Sequence, residues 1–247
     1  MSRSNPTETK KNPSVRWFEW SGKLGEFSHY DKEAKAKVAV PLPFQFVLLD
    51  ELSTIKGWHD ASESGISSNE VRNMRLEPLV VRSFKGGELA NGLYATIKDK
   101  IAASGGHYVS NLYIGAKIGS SLQIASIQFG GAALSSWFEF RKAAGPELYT
   151  KAITVAGFKE GKKGSVVFKV PQFKLVDLTP ATNEAAIDLD RKLQAYLDDY
   201  FRSSKVDSPA PVVVESVDPQ EGESFETAAP SKPASSSTND EFGDVPF

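Results

Sequence analysis

Over most of its length the chain alternates apolar and polar positions in short runs, the period-two signature of half-buried strands. Arg16-Trp17-Phe18-Glu19-Trp20, closed by Gly22, predicts a first strand, and Gly25 to Tyr30 with Lys37 to Val40 predict a hairpin about the charged Asp31-Lys32-Glu33 turn. Phe44 to Leu49 is a short apolar run of strand type, and Leu76 to Phe84 predicts another strand, punctuated by Gly86-Gly87. His107 to Ile118 and Ser121 to Phe129 follow, joined at Gly119-Ser120. Tyr149 to Phe158 and Ser165 to Val176 form a hairpin across Glu160 to Gly164.

Three stretches switch to the helical period. Gly92 to Ala103 spaces Leu93, Ile97 and Ile101 four apart and ends before Gly105-Gly106, and Ser135 to Ala144 stops at Gly145-Pro146. Thr179-Pro180 opens a last helix whose stripe of Leu189, Leu193, Tyr196, Leu197 and Tyr200 lies opposite Asp188, Lys192, Asp198 and Asp199. About eight short strands, two inserted helices and a closing helix make the chain mainly β, and they suit a small closed or partly open barrel.

From Val206 the pattern ends. Pro209, Pro211, Pro219, Pro230, Pro233 and the Ser235 to Thr238 run dominate a segment that buries too little apolar surface to offset its ordering entropy. The expected organisation is a flexible arm over 1–13, a folded body over 14–205, a disordered acidic linker over 206–239 and a distinct tip over 240–247. Such a linker holds its tip on the order of 30 Å away.

Composition sharpens this division. Of the chain's 31 acids and 29 Lys and Arg, nine acids and one base fall in 206–247; the remaining 22 and 28 give a body near +6 against a tail near −8. A basic body with an acidic tail points to a polyanion-binding body and an interaction tail. The chain has no cysteine, which excludes disulfides, thiol catalysis and cysteine-based zinc sites and permits a reducing compartment. The polar start, with Lys10-Lys11 and two Asn-Pro pairs, lacks a secretory apolar stretch, and no run of about 18 apolar residues predicts a membrane span.

Enzyme signatures are weak. Gly157 to Lys162 has one residue too few between its glycines for a phosphate loop, and His29, His59 and His107 lack the spacing of a helical zinc site. Glu33-Ala34-Lys35 has no strand-borne Asp at a suitable distance upstream, and the paired aspartates of the last helix read as a solvated face. Neither catalysis nor a cofactor or metal is expected.

Binding unpaired strands requires a cationic groove and aromatic faces on which bases stack. Alternation along His107 to Lys117 places His107, Asn111, Tyr113 and Lys117 on one face, and Tyr108, Leu112, Ile114 and Ala116 on the other, which reads as core. Arg16, Phe18 and Trp20 share one strand face and Val15, Trp17 and Glu19 the other; one face must be buried, so at most one of the two Trp rings stacks. Lys56 and Trp58 lie in a Gly- and Ser-rich stretch read as a loop to Asn69, with Arg72 and Arg75 beyond, and Lys159, Lys162 and Lys163 crown a hairpin tip. The candidate strand-binding set is therefore Arg16, Trp20, Lys56, Trp58, Arg72, Arg75, His107, Tyr113, Lys117, Lys159, Lys162 and Lys163.

The last eight residues place Asp240, Glu241 and Asp244 beside Phe242, Val245, Pro246 and Phe247. Asp244-Val245-Pro246-Phe247, with its upstream acids, resembles the C-terminal tip of bacterial single-stranded DNA-binding proteins, and several phage counterparts also end in an acidic tail with a terminal Phe. The resemblance covers about eight residues. It implies that Phe247 anchors in an apolar pocket on replication, recombination or repair enzymes, with Pro246 and Asp244 as supports and basic residues holding the carboxylates. It also implies an elaborated OB-fold-like body of the phage type that coats single-stranded DNA in a bacterial or infected-host cytoplasm. A homo-oligomer is compatible with the chain but is not inherited from the analogy. A non-enzymatic adaptor or inhibitor imitating the tip, and an RNA-binding module, stay open as alternatives.

Overall fold

The computed structural model describes residues 11–206, with side chains to Ser203. The tip residues Asp240, Glu241, Phe242, Asp244, Val245, Pro246 and Phe247 lie outside the described residues, as do the linker and residues 1–10 of the N-terminal arm.

The body is mainly β. Its strands are β1 (Trp17–Ser21), β2 (Glu26–Asp31), β3 (Ala36–Val40), β4 (Phe44–His59), β5 (Ser64–Ser68), β6 (Leu79–Ser83), β7 (Gly87–Gly92), β8 (Gly106–Ile118), β9 (Ser121–Gly130), β10 (Ala152–Lys163) and β11 (Val166–Val176). The helices are α1 (Tyr94–Ala103), α2 (Gly131–Ala144) and α3 (Pro180–Val206). The strands form an open sheet in the order β3-β2-β1-β9-β8-β4-β5-β6-β7, with the β10–β11 hairpin attached to the start of β4. All the pairs are antiparallel except β1 with β9.

Several elements depart from expectation; among them, β10 continues to Lys163 through most of the hairpin loop expected over 160–164. The short strand at Phe44 to Leu49 continues to His59, because a bulge between Leu48 and Asp50 breaks the alternation that sequence reading follows. Its polar middle is buried or half-buried rather than looped, since Ser53 meets the Tyr108 hydroxyl at 3.1 Å and Thr54 meets Ser68 at 3.1 Å. The stretch read as a loop around Trp58 is strand on both sides of a 3-10 turn at Asp60–Ser62: Trp58 and His59 close β4, and the Gly- and Ser-rich segment is β5. After the Gly86-Gly87 punctuation, Gly87–Gly92 forms an edge strand, β7, that the sequence does not predict, and the helix expected from Gly92 begins at Tyr94.

The two faces of the sheet are covered differently. The inner face carries the main core, where Phe18, Phe27 and Phe44 pack with ring centroids 4.9–5.0 Å apart beneath Ile97 and Ile101 of α1 and Leu134 and Trp137 of α2. On the other face α3 crosses β9, β8 and β4, and its predicted stripe buries Leu189, Leu193 and Leu197 against Leu49, Leu52, Tyr113 and Ile124. Each of these leucines contributes about 2 kcal/mol of burial. The helix covers only the middle of that face, and what it leaves bare positions the candidate site.

Candidate nucleic-acid interface

At the far end of β4 the α3-side face is uncovered, and cross-strand register defines what it displays. Lys56 pairs with His107 of β8 on one side and Ser67 of β5 on the other, and Ser67 pairs with Arg82 of β6. Paired residues project to the same side of a sheet, so His107, Lys56, Ser67 and Arg82 form one polar row that carries two cations, Lys56 and Arg82. In the adjacent row Trp58 pairs with Gly65, and the Phe84 N–H donates to the Gly65 carbonyl at 3.0 Å. Ile66 and Ile55, on the opposite side of the same strands, are buried in the core. Trp58 is 56% exposed and Phe84 90% exposed.

Glycines permit this end of the sheet to close. A Cβ on Gly57 would lie 2.2 Å from the Gly105 carbonyl oxygen, and one on Gly105, whose φ is +85°, would lie 2.2 Å from that of Trp58. The Trp58 N–H donates to Gly105 at 3.3 Å, so this tight approach fixes the backbone carrying the ring. Lys85 follows Phe84 and adds a further exposed cation, while Glu88, opposite Arg82 on β7, and Glu63 partly balance the charge. His107 is held below its ordinary value of 6.5 by partial desolvation and is therefore neutral at pH 7.

The sequence-predicted residues divide among several places. Lys56, Trp58 and His107 come together here. Tyr113 does not join them: it is fully buried beneath α3, and its hydroxyl donates to Glu70 Oε2 at 2.7 Å and accepts from Asn12 Nδ2 at 3.0 Å, so the expected stacking ring is a core residue. Alternation placed it on the correct face, but the amphipathic α3 covers that part of the face. Arg72 is exposed yet engaged, bridging to Asp50 at 2.9 Å, bonding Gln194 and lying over the Phe201 ring. Arg75 sits on the neighbouring turn, its N–H bonded to Asn73.

Trp20 lies on the inner side of β1, half-buried against Phe27, with Nε1 donating to the Lys169 carbonyl at 2.9 Å. The exposed tryptophan of that strand is Trp17, and the β1–β2 register sets it opposite the exposed Tyr30, which pairs with Lys37. Arg16 is half-buried nearby; burial lowers the His29 pKa, helped by the Arg16 charge, and the backbone N–H groups of Ala34 and Glu33 lower that of Asp31. Lys117 is exposed at the opposite end of β8, next to Ala116, which pairs with Phe46. Lys159, Lys162 and Lys163 line β10 where the hairpin runs out past Phe44, away from Trp58. Lys169 lies 4.5 Å from the Phe158 ring on that hairpin. Sequence reading missed Arg82, Phe84 and Lys85, whose signal was an aromatic set between two bases just before Gly86-Gly87.

Beneath the edge of α3, Glu70 accepts from Tyr113 and from Asn111 Nδ2, both at 2.7 Å. Burial raises its carboxyl above the ordinary 4.5, against the lowering pull of those donors and of nearby Lys56. Among the described residues no three His, Asp or Glu side chains group to hold a metal ion, and no helix is long and apolar enough to cross a membrane. No protein-family model, curated protein or solved structure matches the chain.

Proposed function

We propose that this chain is a non-enzymatic single-stranded DNA-binding protein. It coats and protects exposed strands without strong sequence preference during replication, recombination or repair in a bacterial or infected-host cytoplasm. The observation that carries this reading is the bare end of the α3-side face, where the row of His107, Lys56, Ser67 and Arg82 adjoins the exposed rings of Trp58 and Phe84. Cations follow phosphates, and rings accept any base because every base has a π-face. The lysine-rich hairpin and the Trp17–Tyr30 pair extend the surface that a strand can contact.

The finer architecture is an elaborated OB-like barrel. Supporting it, the strand path β1-β9-β8-β4-β10-β11 returns toward its start where the Lys169 N–H donates to the Gly22 carbonyl at 2.7 Å. Recruitment of partner enzymes by Asp240 to Phe247 rests on the resemblance of that tip to bacterial and phage single-stranded DNA-binding proteins. The test is a salt-dependent titration with oligo-dT, oligo-U and duplex DNA of equal length. Preference for oligo-dT, with log K falling against log salt at about −0.7 per phosphate contacted, supports the reading. Preference for oligo-U reassigns the protein to RNA, and no binding to any of the three leaves the adaptor alternative.

A further inference from the structure

Gly65 occupies the strand position between Trp58 and Phe84, and its local geometry does not demand a glycine. No heavy atom lies within 4 Å of where its Cβ would be, and its φ is outside the left-handed range that disfavours other residues. Gly57 and Gly105, by contrast, are required by backbone contact. A glycine inside a strand carries a conformational cost relative to alanine, and where packing does not impose it, close approach of a ligand to the backbone is one recurring use of it.

The dimensions suit a single planar ring. Trp58 lies near the end of β4 and Phe84 is the first turn residue after β6, on either side of β5, so at about 4.8 Å per strand their Cα atoms are about 10 Å apart. One planar ring between two others needs about 7 Å from ring to ring, twice the contact distance of carbon atoms. The missing side chain at Gly65 thus leaves bare backbone between two exposed rings, beside a shallow cavity that Gly65, Ser67, Phe84 and Lys85 line. On the same face lie Lys56 and Arg82, one row away, where phosphates on either side of an inserted base can be met. We propose that this gap takes a single unpaired base, sandwiched between Trp58 and Phe84 over Gly65, as the principal stacking subsite of the protein.

This inference rests on the single-stranded DNA reading, and the experiment separates the two. Full-length protein and its Gly65→Val variant are titrated with oligo-dT and with an abasic oligonucleotide of the same length. Valine suits a partly exposed strand position with open space at its Cβ, so the variant should keep the wild-type circular dichroism and unfolding midpoint. The expected result is a loss of about tenfold or more in oligo-dT affinity with abasic binding unchanged. Equal oligo-dT binding by the two proteins overturns the stacking subsite and leaves the DNA reading standing, whereas failure of the wild type to bind oligo-dT removes both. Gly65→Thr provides the same comparison if the valine variant is unstable.

Discussion

Asp50 and Glu51 are consecutive residues at the bulge of β4, and their carboxylates hold helices on opposite faces of the sheet. Asp50 accepts from Arg72 at 2.9 Å and from Gln194 of α3 at 3.1 Å. Glu51 accepts from Arg141 of α2 at 3.0 Å and from the buried Ser110 hydroxyl at 2.6 Å. Ordinary alternation just past the bulge sends these neighbouring side chains to opposite layers. Glu51→Ala leaves Ser110 and Arg141 without their acceptor and should destabilise by about 2 kcal/mol, more than Asp50→Ala, whose partner Arg72 is nearly half exposed and can turn to water. Urea unfolding of the two variants checks the order.

α3 docks chiefly through its apolar stripe. Leu193 and Leu197 are fully buried, so Leu193→Ala should cost about 2–5 kcal/mol, while Lys192→Ala on the exposed side should stay within about 0.5 kcal/mol. Chemical denaturation of both variants tests the docking directly.

Glu70 gives a pH signature of defined sign. Its folded-state pKa is raised above 4.5, so the folded state binds more protons than the unfolded one, and this residue's contribution to stability falls as pH rises from about 4.5 through the elevated value. Glu70→Gln removes that titration while keeping an oxygen that can accept from Asn111. The stability of the variant relative to wild type should therefore increase as pH rises through this window and level off above it. A difference independent of pH between 4 and 7 contradicts the assignment.

Much of this architecture is legible in the sequence because each strand with one buried face alternates. β1, β2, β8 and β9, and the stripe of α3, follow their patterns to within a few residues. The pattern fails where both faces are buried, as along the middle of β4, and where small polar residues pair as strand, as in β5. The site was half readable for the same reason. Lys56 and Trp58 of β4 lie far in sequence from His107 of β8 and only the register unites them, but Tyr113 and Trp20 could be told from surface rings only once α3 and β11 were placed. Phe84 went unrecognised because a strand-end aromatic resembles core until its 90% exposure is seen.

Tyr113 and Trp58 consequently make opposite predictions. Tyr113→Phe removes a hydroxyl that bonds Glu70 and Asn12, and should lower stability by about 1 kcal/mol while leaving oligonucleotide affinity unchanged. Trp58→Ala should leave stability nearly unchanged and weaken binding by about 1–3 kcal/mol. Thermal melts paired with oligo-dT titrations on both variants separate the roles.

The central claim is that the face bearing Trp58 and Phe84 grips unpaired strands. It is tested most directly by titrating wild type and the Trp58→Ala/Phe84→Ala double variant with oligo-dT in dilute buffer. Saturable binding by the wild type, weakened at least about thirtyfold in a double variant that remains folded, is the predicted result. Wild-type protein that ignores the oligonucleotide, or a double variant that binds as tightly as wild type, would contradict the account.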